Sequence, residues 1–214
     1  MNTRYSLFIL SSMLWTVKTA TAQEIPESSP TSGKKAGWFS IGARNTISTF
    51  SDEGFGLGSG GQFRIQLSNK VNTDWFLDYI IINDKNVRSQ YLHIGWSVLF
   101  YPFEKMGVAN HKIQPYILAG HCFDYNQKTV LSDPSITDDR WGSAVQTGIG
   151  THFNLSDRFD LTLMIQYMIH LTSELEVVES GGIYSIEKQP TSALQGHSLN
   201  TLSLNYKLFK LWGK

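Results

Sequence analysis

The clearest pattern in the chain is a strict alternation of apolar and polar positions between Ala144 and His170. On the first arm, which ends at Phe153, large or β-branched residues alternate with Gln, Gly and His. A polar turn at 154–158 follows, and the second arm alternates again from Phe159 onward. Period-two alternation predicts β-strands, and about ten residues per arm is the length of a tilted strand that crosses a membrane. One face of this predicted hairpin suits lipid, and the other suits a polar interior.

The same alternation recurs along the chain and predicts eight strands. Their predicted bounds are Trp38–Phe50, Leu57–Leu67, Asp74–Ile82, Ser89–Tyr101 and Ile113–Phe123, then the two arms of the hairpin, and finally Leu199–Phe209. An even number of strands joined in order is typical of a meander that closes into a barrel. We therefore expect an all-β fold, an eight-stranded antiparallel up-and-down transmembrane β-barrel.

The connections between the predicted strands give the barrel an orientation. Those after the second, fourth and sixth strands become periplasmic turns, and those after the odd-numbered strands become extracellular loops. The two longest outer loops are predicted at 124–140 and 171–196. Because binding residues are concentrated on loops, we expect function to reside there.

Aromatic residues cluster at both predicted ends of the strands, as the interfacial girdles of a membrane barrel do. The predicted girdle residues are Trp38, Phe39, Trp75, Phe76, Phe100, Tyr101, Phe103, Tyr116, Phe153, Phe159 and Phe209 at the periplasmic end, and Phe50, Phe55, Phe123, Tyr125, Trp141 and Tyr167 at the outer end.

The N-terminus has the composition of a secretory signal. Arg4 supplies a positive charge, Leu7–Trp15 is a short and mostly apolar run, and Ala20-Thr-Ala22 fits the cleavage pattern of small residues. We expect residues 1–22 to be removed after Ala22. Residues 23–35 are rich in Ser, Pro and Lys, which predicts a disordered periplasmic lead-in, and residues 36–214 form the barrel domain.

The composition does not change the predicted fold, but it bears on nucleic-acid binding and on disulfide formation. The whole chain has 18 basic and 18 acidic residues, and the predicted signal contains two of the bases and no acid. The mature chain is therefore slightly acidic, and nothing in this balance indicates a nucleic-acid partner. Cys122 is the only cysteine, so no intrachain disulfide is expected, and we interpret it as a packed residue on a strand.

Three short segments give the chain a resemblance to known proteins. They are Gln114-Pro-Tyr-Ile-Leu-Ala-Gly120, Gly148-Ile-Gly150 followed by Leu155-Ser-Asp-Arg158, and Leu202-Ser-Leu-Asn-Tyr-Lys-Leu-Phe209. With them, the chain resembles the small eight-stranded outer-membrane barrels of the OmpA/OmpX-like class, and it is particularly similar to the outer-membrane β-barrel domain proteins of Bacteroidota. The resemblance covers nearly the whole mature chain. It implies residence in the outer membrane of a Gram-negative bacterium and insertion by the barrel-assembly machinery.

The inner face of so narrow a barrel is predicted to be filled by its own side chains. We expect a buried, hydrogen-bonded polar network and no open pore. The predicted network consists of Arg44, Arg64, Asp78, His93, Asp160, Gln166 and Lys207. Arg64 and Asp78 lie almost symmetrically about a turn near Val71, which predicts a cross-strand ion pair between them.

Other polar residues of the chain are candidates for other functions. A lipid A-modifying hydrolase would need a serine, a histidine base and an acid, for which His170, Ser173 and Glu174, or His197 and Ser198, are candidates near the outer rim. The six histidines show no paired ligand spacing, so no metal and no cofactor is expected. A soluble lipocalin-like carrier would place its large residues inward around an apolar ligand.

We therefore interpret the chain as a non-enzymatic outer-membrane β-barrel with a structural or surface-interaction role. Its expected partners are outer-membrane lipid and lipopolysaccharide, the barrel-assembly machinery during insertion, and other envelope proteins. A subunit role in an envelope secretion or assembly complex is the leading alternative.

Overall fold

The computed structural model describes residues 36–50, 54–103, 112–190 and 196–212. Within these ranges the chain forms ten strands. They are β1 (Trp38–Phe50), β2 (Gly54–Gln66), β3 (Val71–Asp84), β4 (Val87–Phe100), β5 (Ile113–Val130), β6 (Thr137–Asn154), β7 (Phe159–His170), β8 (Glu174–Ser180), β9 (Ile183–Gln189) and β10 (Gly196–Lys210). In the same ranges, no helix is long and apolar enough to cross a membrane.

Eight of these strands close into a barrel. Each strand pairs antiparallel with its neighbours from β1 through β7, and β10 pairs with both β7 and β1. β8 and β9 form a separate two-stranded hairpin inside the last outer connection. The predicted fold class is confirmed, and the strand predicted as the eighth is β10.

The predicted loop at 124–140 is largely wrong. β5 continues to Val130 and β6 begins at Thr137, so only 131–136 connects them. Asp124, Asn126 and Lys128 remain buried and face the lumen. Of the two outward positions between them, Gln127 is polar and Tyr125 carries a hydroxyl group. With polar residues on both faces, the alternation that reveals a strand disappears from the sequence. The other long loop, 171–196, is a loop only in part, because it contains the β8–β9 hairpin.

The wall of the barrel is apolar outside and largely polar inside. Outward-facing Ile41, Leu77, Ile94, Ile149 and Leu204 are all at least 40% exposed. A soluble protein rarely exposes a continuous apolar surface of this kind. The arrangement is the reverse of a lipocalin, whose large side chains point inward.

A row of aromatic rings crosses the lipid-facing wall over five adjacent strands. Phe209 stacks on Phe39 with ring centroids 5.4 Å apart, and Phe39 lies 5.8 Å from Phe63. The row continues from Phe63 to Trp75 at 5.9 Å and from Trp75 to Trp96 at 6.3 Å. Three predicted girdle residues do not belong to any such girdle, because the buried side chains of Phe76, Tyr101 and Tyr116 lie on the lumen side.

Both predicted N-terminal segments, the signal at 1–22 and the lead-in at 23–35, lie outside the described residues. They remain predictions. The periplasmic connection from β4 to β5 likewise contains residues 104–111, which lie outside the described ranges.

Candidate functional site

The lumen holds two clusters of buried polar side chains, and these form the candidate site. The first, the arginine cluster, is centred on Arg64 of β2. The Arg64 guanidinium donates to Asp74 on β3, with Nε 2.6 Å from Oδ1, and to Asp160 on β7, with Nη1 3.1 Å from Oδ1. His152 of β6 lies 2.6 Å from the Thr162 hydroxyl, which in turn contacts Asp160. Since every member is almost completely buried, these bonds replace the water that each charge gives up.

The predicted ion pair between Arg64 and Asp78 is wrong, although both residues lie in the lumen as predicted. The β2–β3 ladder pairs Arg64 with Asp74 and places Gly60 opposite Asp78. The turn is centred two residues earlier than the sequence pattern indicates, so the register shifts by four. Asp78 instead binds Arg44 of β1, with Nη2 2.8 Å from Oδ2.

Gly60 makes the Arg44–Asp78 ion pair possible. It lies between the two residues in the sheet, paired with Arg44 on one side and Asp78 on the other. A Cβ atom at Gly60 would collide with the Leu77 carbonyl oxygen and would lie 2.6 Å from the Asp78 carboxylate. The missing side chain therefore leaves room for a β1 guanidinium to reach a β3 carboxylate across the intervening strand.

The second group, the histidine cluster, lies nearer the outer end and consists of His93, Asp124, Arg140, His170 and His197. Asp124 Oδ2 lies 2.9 Å from His170 Nδ1, and Asp124 Oδ1 lies 3.3 Å from His93 Nε2. His170 Nε2 is 2.9 Å from His197 Nδ1, so a carboxylate and two imidazoles form a continuous chain. Arg140 donates to Asp124 at 3.3 Å. All five side chains are at most 6% exposed.

Arg140 connects the histidine cluster to the outer loop. Its second guanidinium nitrogen donates to the Thr172 hydroxyl at 3.1 Å, two residues before β8 begins. One guanidinium therefore contacts both the histidine cluster and the base of the β8–β9 hairpin.

The sequence predicts this cluster only in part. His93 is predicted in the lumen and His170 and His197 are candidates at the outer rim, but Asp124 and Arg140 fall in a predicted loop. The signal that could have found them is parity, since even-numbered residues of β5 and β6 continue to face inward beyond residue 123.

The structure does not assemble the hydrolase residues into a triad. His197 faces the lumen, whereas Ser198 is the next residue on the same strand and therefore points to the opposite face. Ser173 and Glu174 lie at the start of the outer hairpin, partly exposed. Within the described ranges, no group of three His, Cys, Asp or Glu side chains is arranged to hold a metal ion.

The remaining predicted lumen residues also line the interior. Gln166 is 1% exposed on the inner face of β7. Lys207 is half-buried at the periplasmic end, where it borders a polar cavity of about 500 Å³ together with Lys112, His152 and Asp160. Apolar side chains fill other parts of the lumen, among them Leu99, Tyr116, Met164 and Met168.

No protein-family model and no curated protein matches the chain. Several solved structures do. A major outer membrane protein from Thermus thermophilus aligns with a TM-score of 0.54 at 12% identity, over 80% of this chain and 98% of that one. The outer membrane protein OprG from Pseudomonas aeruginosa gives 0.53 at 16% identity, over 83% and 98%. Neisserial surface protein A gives 0.50 at 11% identity, over 80% and 96%.

These similarities concern the fold, which is that of the small eight-stranded outer-membrane β-barrels. The expectation of an OmpA/OmpX-like fold is confirmed. Together with the apolar wall and the charged interior, it places the chain among membrane-spanning β-barrel proteins.

Proposed function

We propose that this protein resides in the outer membrane, passes no solute, catalyses no reaction, and acts through its outer end in a structural or surface-interaction role. The observation that carries the proposal is the filled lumen. Arg64, Asp74 and Asp160 bridge β2, β3 and β7, and Arg44 and Asp78 bridge β1 and β3. An eight-stranded barrel has no space beyond such a layer for a solute path.

The outer end offers the surface through which such a protein would act. β5 and β6 have 18 residues each, whereas the other barrel strands have between 12 and 15. They therefore extend beyond the apolar band. The β8–β9 hairpin lies beside them, anchored by the buried Leu175 and by Lys188, whose ammonium is 3.9 Å from Asp138.

The outer end is also acidic. Described carboxylates there include Asp84, Asp133, Asp138, Asp139, Glu174, Glu176, Glu179 and Glu187, and described bases include Lys85, Arg88, Lys128 and Lys188. Charge of this kind steers partners and selects among them more than it adds affinity. The proposed partners are therefore ones that carry positive charge or bound cations, such as lipopolysaccharide bridged by divalent ions.

Conductance tests the sealed lumen. Purified protein in planar lipid bilayers is expected to give no steady current. A variant with Arg64→Ala, Asp74→Ala and Asp160→Ala together removes the charged layer and serves as the comparison, provided it still inserts. Steady single-channel steps from the unaltered protein would refute the sealed-lumen proposal.

Cysteine labelling in intact cells tests which end faces the medium. Ser180→Cys places a thiol at the tip of the β8–β9 hairpin, and Ser156→Cys places one in the β6–β7 turn. A membrane-impermeant maleimide should label the first variant and not the second. The unaltered protein is the background control, because Cys122 is fully buried. Labelling at Ser156→Cys alone would reverse the proposed orientation.

A further inference from the structure

The lipid-facing wall carries polar side chains on three adjacent strands, β10, β1 and β2. Asn45 on β1 is exposed and points outward, since both of its neighbours along the strand are buried. Its partner in the β1–β2 ladder, Ser59, is exposed too. On β10, Asn200 also lies between two buried neighbours and therefore points outward. We call these three residues the polar wall patch.

The polar wall patch lies within the apolar band of the wall and not at its edge. From Phe39, a member of the aromatic row, β1 advances about 20 Å to Asn45. At a strand tilt of roughly 35–45° this is about 15 Å along the membrane normal, inside an apolar band about 25 Å tall. The next outward pair toward the outer end is Ile47 with Leu57, and both side chains are exposed. Asn45 is therefore followed by apolar residues on that side as well.

An amide in this position is unusual for a surface that meets only lipid. The Asn45 carboxamide carries two N–H donors and one oxygen acceptor. Exposed to hydrocarbon, these groups lose the hydrogen bonds of water and gain none from acyl chains. Polar side chains within membranes instead hydrogen-bond to other protein segments. The position of Asn45 therefore points to a protein contact at this level of the wall.

The wall beside Asn45 is also unusually low. The next outward pair toward the periplasm is Ala43 with Gly61. A Cβ atom at Gly61 would meet one atom within 4 Å, at a distance of 3.7 Å, so the space outside this residue is open. Small side chains allow two backbones within a membrane to approach closely. A second protein surface can therefore come nearer to the backbone here than it can over the large ring of Phe63, one pair further along.

We propose that two copies of this protein associate within the membrane through the polar wall patch, and that the two Asn45 amides hydrogen-bond to each other. Both copies insert in the same direction, so a two-fold axis along the membrane normal brings each residue to its own level in the other copy. An amide satisfies an identical amide, because it carries donors and an acceptor together. Ser59 and Asn200 extend the polar surface on either side of β1.

Self-complementarity makes a second copy the occupant of this surface. Acyl chains offer neither a donor nor an acceptor, whereas a second patch offers both at the matching height. Ala43 and Gly61 allow the two β1–β2 walls to come close enough for the amides to meet. The contact lies within the membrane, so it is independent of the outer surface through which the proposed function acts.

Energy transfer in phosphatidylcholine vesicles tests the association. Purified protein carries a donor or an acceptor dye at Ser180→Cys, and the transfer is followed as the protein is diluted with lipid. With no other change, the transfer is expected to disappear on dilution, as for a reversible dimer. Asn45→Leu should weaken the association about tenfold, the combined value of two hydrogen bonds between membrane-embedded segments. Asn45→Gln keeps the amide and should keep most of the association.

The close approach is tested by a bulky side chain. Ala43→Trp should abolish the energy transfer at every dilution. Ile94→Trp is the matched control, because Ile94 lies in the same ladder row on β4, faces lipid and is two strands away from β2. Equal effects of the two tryptophans would overturn the proposal.

Cross-linking tests which residues meet. Under a mild oxidant, Asn45→Cys should form a disulfide-linked dimer in the same vesicles, whereas Ile94→Cys should remain monomeric. The unaltered protein is the background control, since its single Cys122 is fully buried. Asn45→Leu and Asn45→Cys place small or apolar groups toward lipid, so they leave the barrel able to fold if Ala43→Trp does not.

Three results would overturn the proposal. The first is a protein that shows no energy transfer at any dilution. The second is association of Asn45→Leu equal to that of the unaltered protein. The third is equal cross-linking of the two cysteine variants. Monomeric behaviour with unchanged conductance and surface labelling would refute this contact and leave the proposed function untouched.

Discussion

The arginine cluster and the histidine cluster occupy the same lumen but balance charge in different ways. In the arginine cluster, two carboxylates surround one guanidinium, and the contacts are charge-assisted hydrogen bonds. In the histidine cluster, one carboxylate is shared by an arginine and two imidazoles, with a third imidazole beyond them. Both clusters contain histidine, the side chain whose charge changes near neutral pH, but the first has one, His152, and the second has three. One end of the barrel therefore has two carboxylates beside one arginine and one histidine, and the other has one carboxylate beside one arginine and three histidines.

The largest expected effect comes from breaking the arginine cluster. Arg64→Met keeps an unbranched apolar stem, removes the guanidinium and leaves Asp74 and Asp160 buried without their shared cation. Removing one partner of a buried ion pair destabilises a protein by about 3–5 kcal/mol. Urea unfolding in lipid vesicles, followed by tryptophan fluorescence, measures the loss.

Arg158→Met is the control for that measurement, since Arg158 is exposed and its loss should change stability by less than about 0.5 kcal/mol. Equal stability of the two variants would mean that the arginine cluster contributes packing only.

A smaller effect is expected from Gly60→Ala. The added methyl group meets the Leu77 carbonyl and the Asp78 carboxylate, so β3 must shift or Asp78 must leave Arg44. Overpacking of this kind costs about 1–3 kcal/mol. The matched control is Gly61→Ala, where the nearest atom to the new Cβ is 3.7 Å away. The same urea titration should separate the two, and equal midpoints would contradict the requirement for glycine at position 60.

The fold was more predictable than these contacts, and the reason is physical. Alternation depends on the environment of each face, so eight strands and their order could be read wherever one face meets lipid, as at Phe159–His170. The pattern disappeared in the outer part of β5, where Gln127 meets water outside while Asn126 and Lys128 line the lumen. The strand register could not be predicted, because it depends on the centre of a tight turn. That centre lies two residues earlier than predicted, so Asp74 and not Asp78 is the partner of Arg64.

Acidification is expected to affect the histidine cluster more than the arginine cluster, because three of its members are histidines. The histidine cluster is buried and has one carboxylate, already paired with Arg140, beside three histidines. Positive charge added to such a buried cluster is poorly compensated in the folded state, so we expect stability to fall as the pH is lowered from 7 to 5, by about 1–2 kcal/mol. Hydrogen exchange at the two pH values should show faster exchange around Thr172 and β8, because Arg140 connects them to the cluster. Uniform acceleration over the whole barrel, or none, would contradict a local effect.

The smallest expected effect separates the ionisable group of one histidine from the packing of its ring. His197→Phe keeps an aromatic ring beside His170 and His93, with which His197 stacks at centroid distances of 4.9 and 5.5 Å. It removes one titrating group and one hydrogen bond, so the neutral-pH stability should fall by about 1 kcal/mol, the net value of one buried hydrogen bond. The drop between pH 7 and pH 5 should become smaller by a similar amount, measured in the same unfolding titration. Ser198→Ala, at the neighbouring position on the opposite face, is the control and should leave both values unchanged. If the two variants show the same pH dependence as the unaltered protein, the acid response arises elsewhere in the barrel, and the histidine cluster is a packing element like the apolar side chains around it.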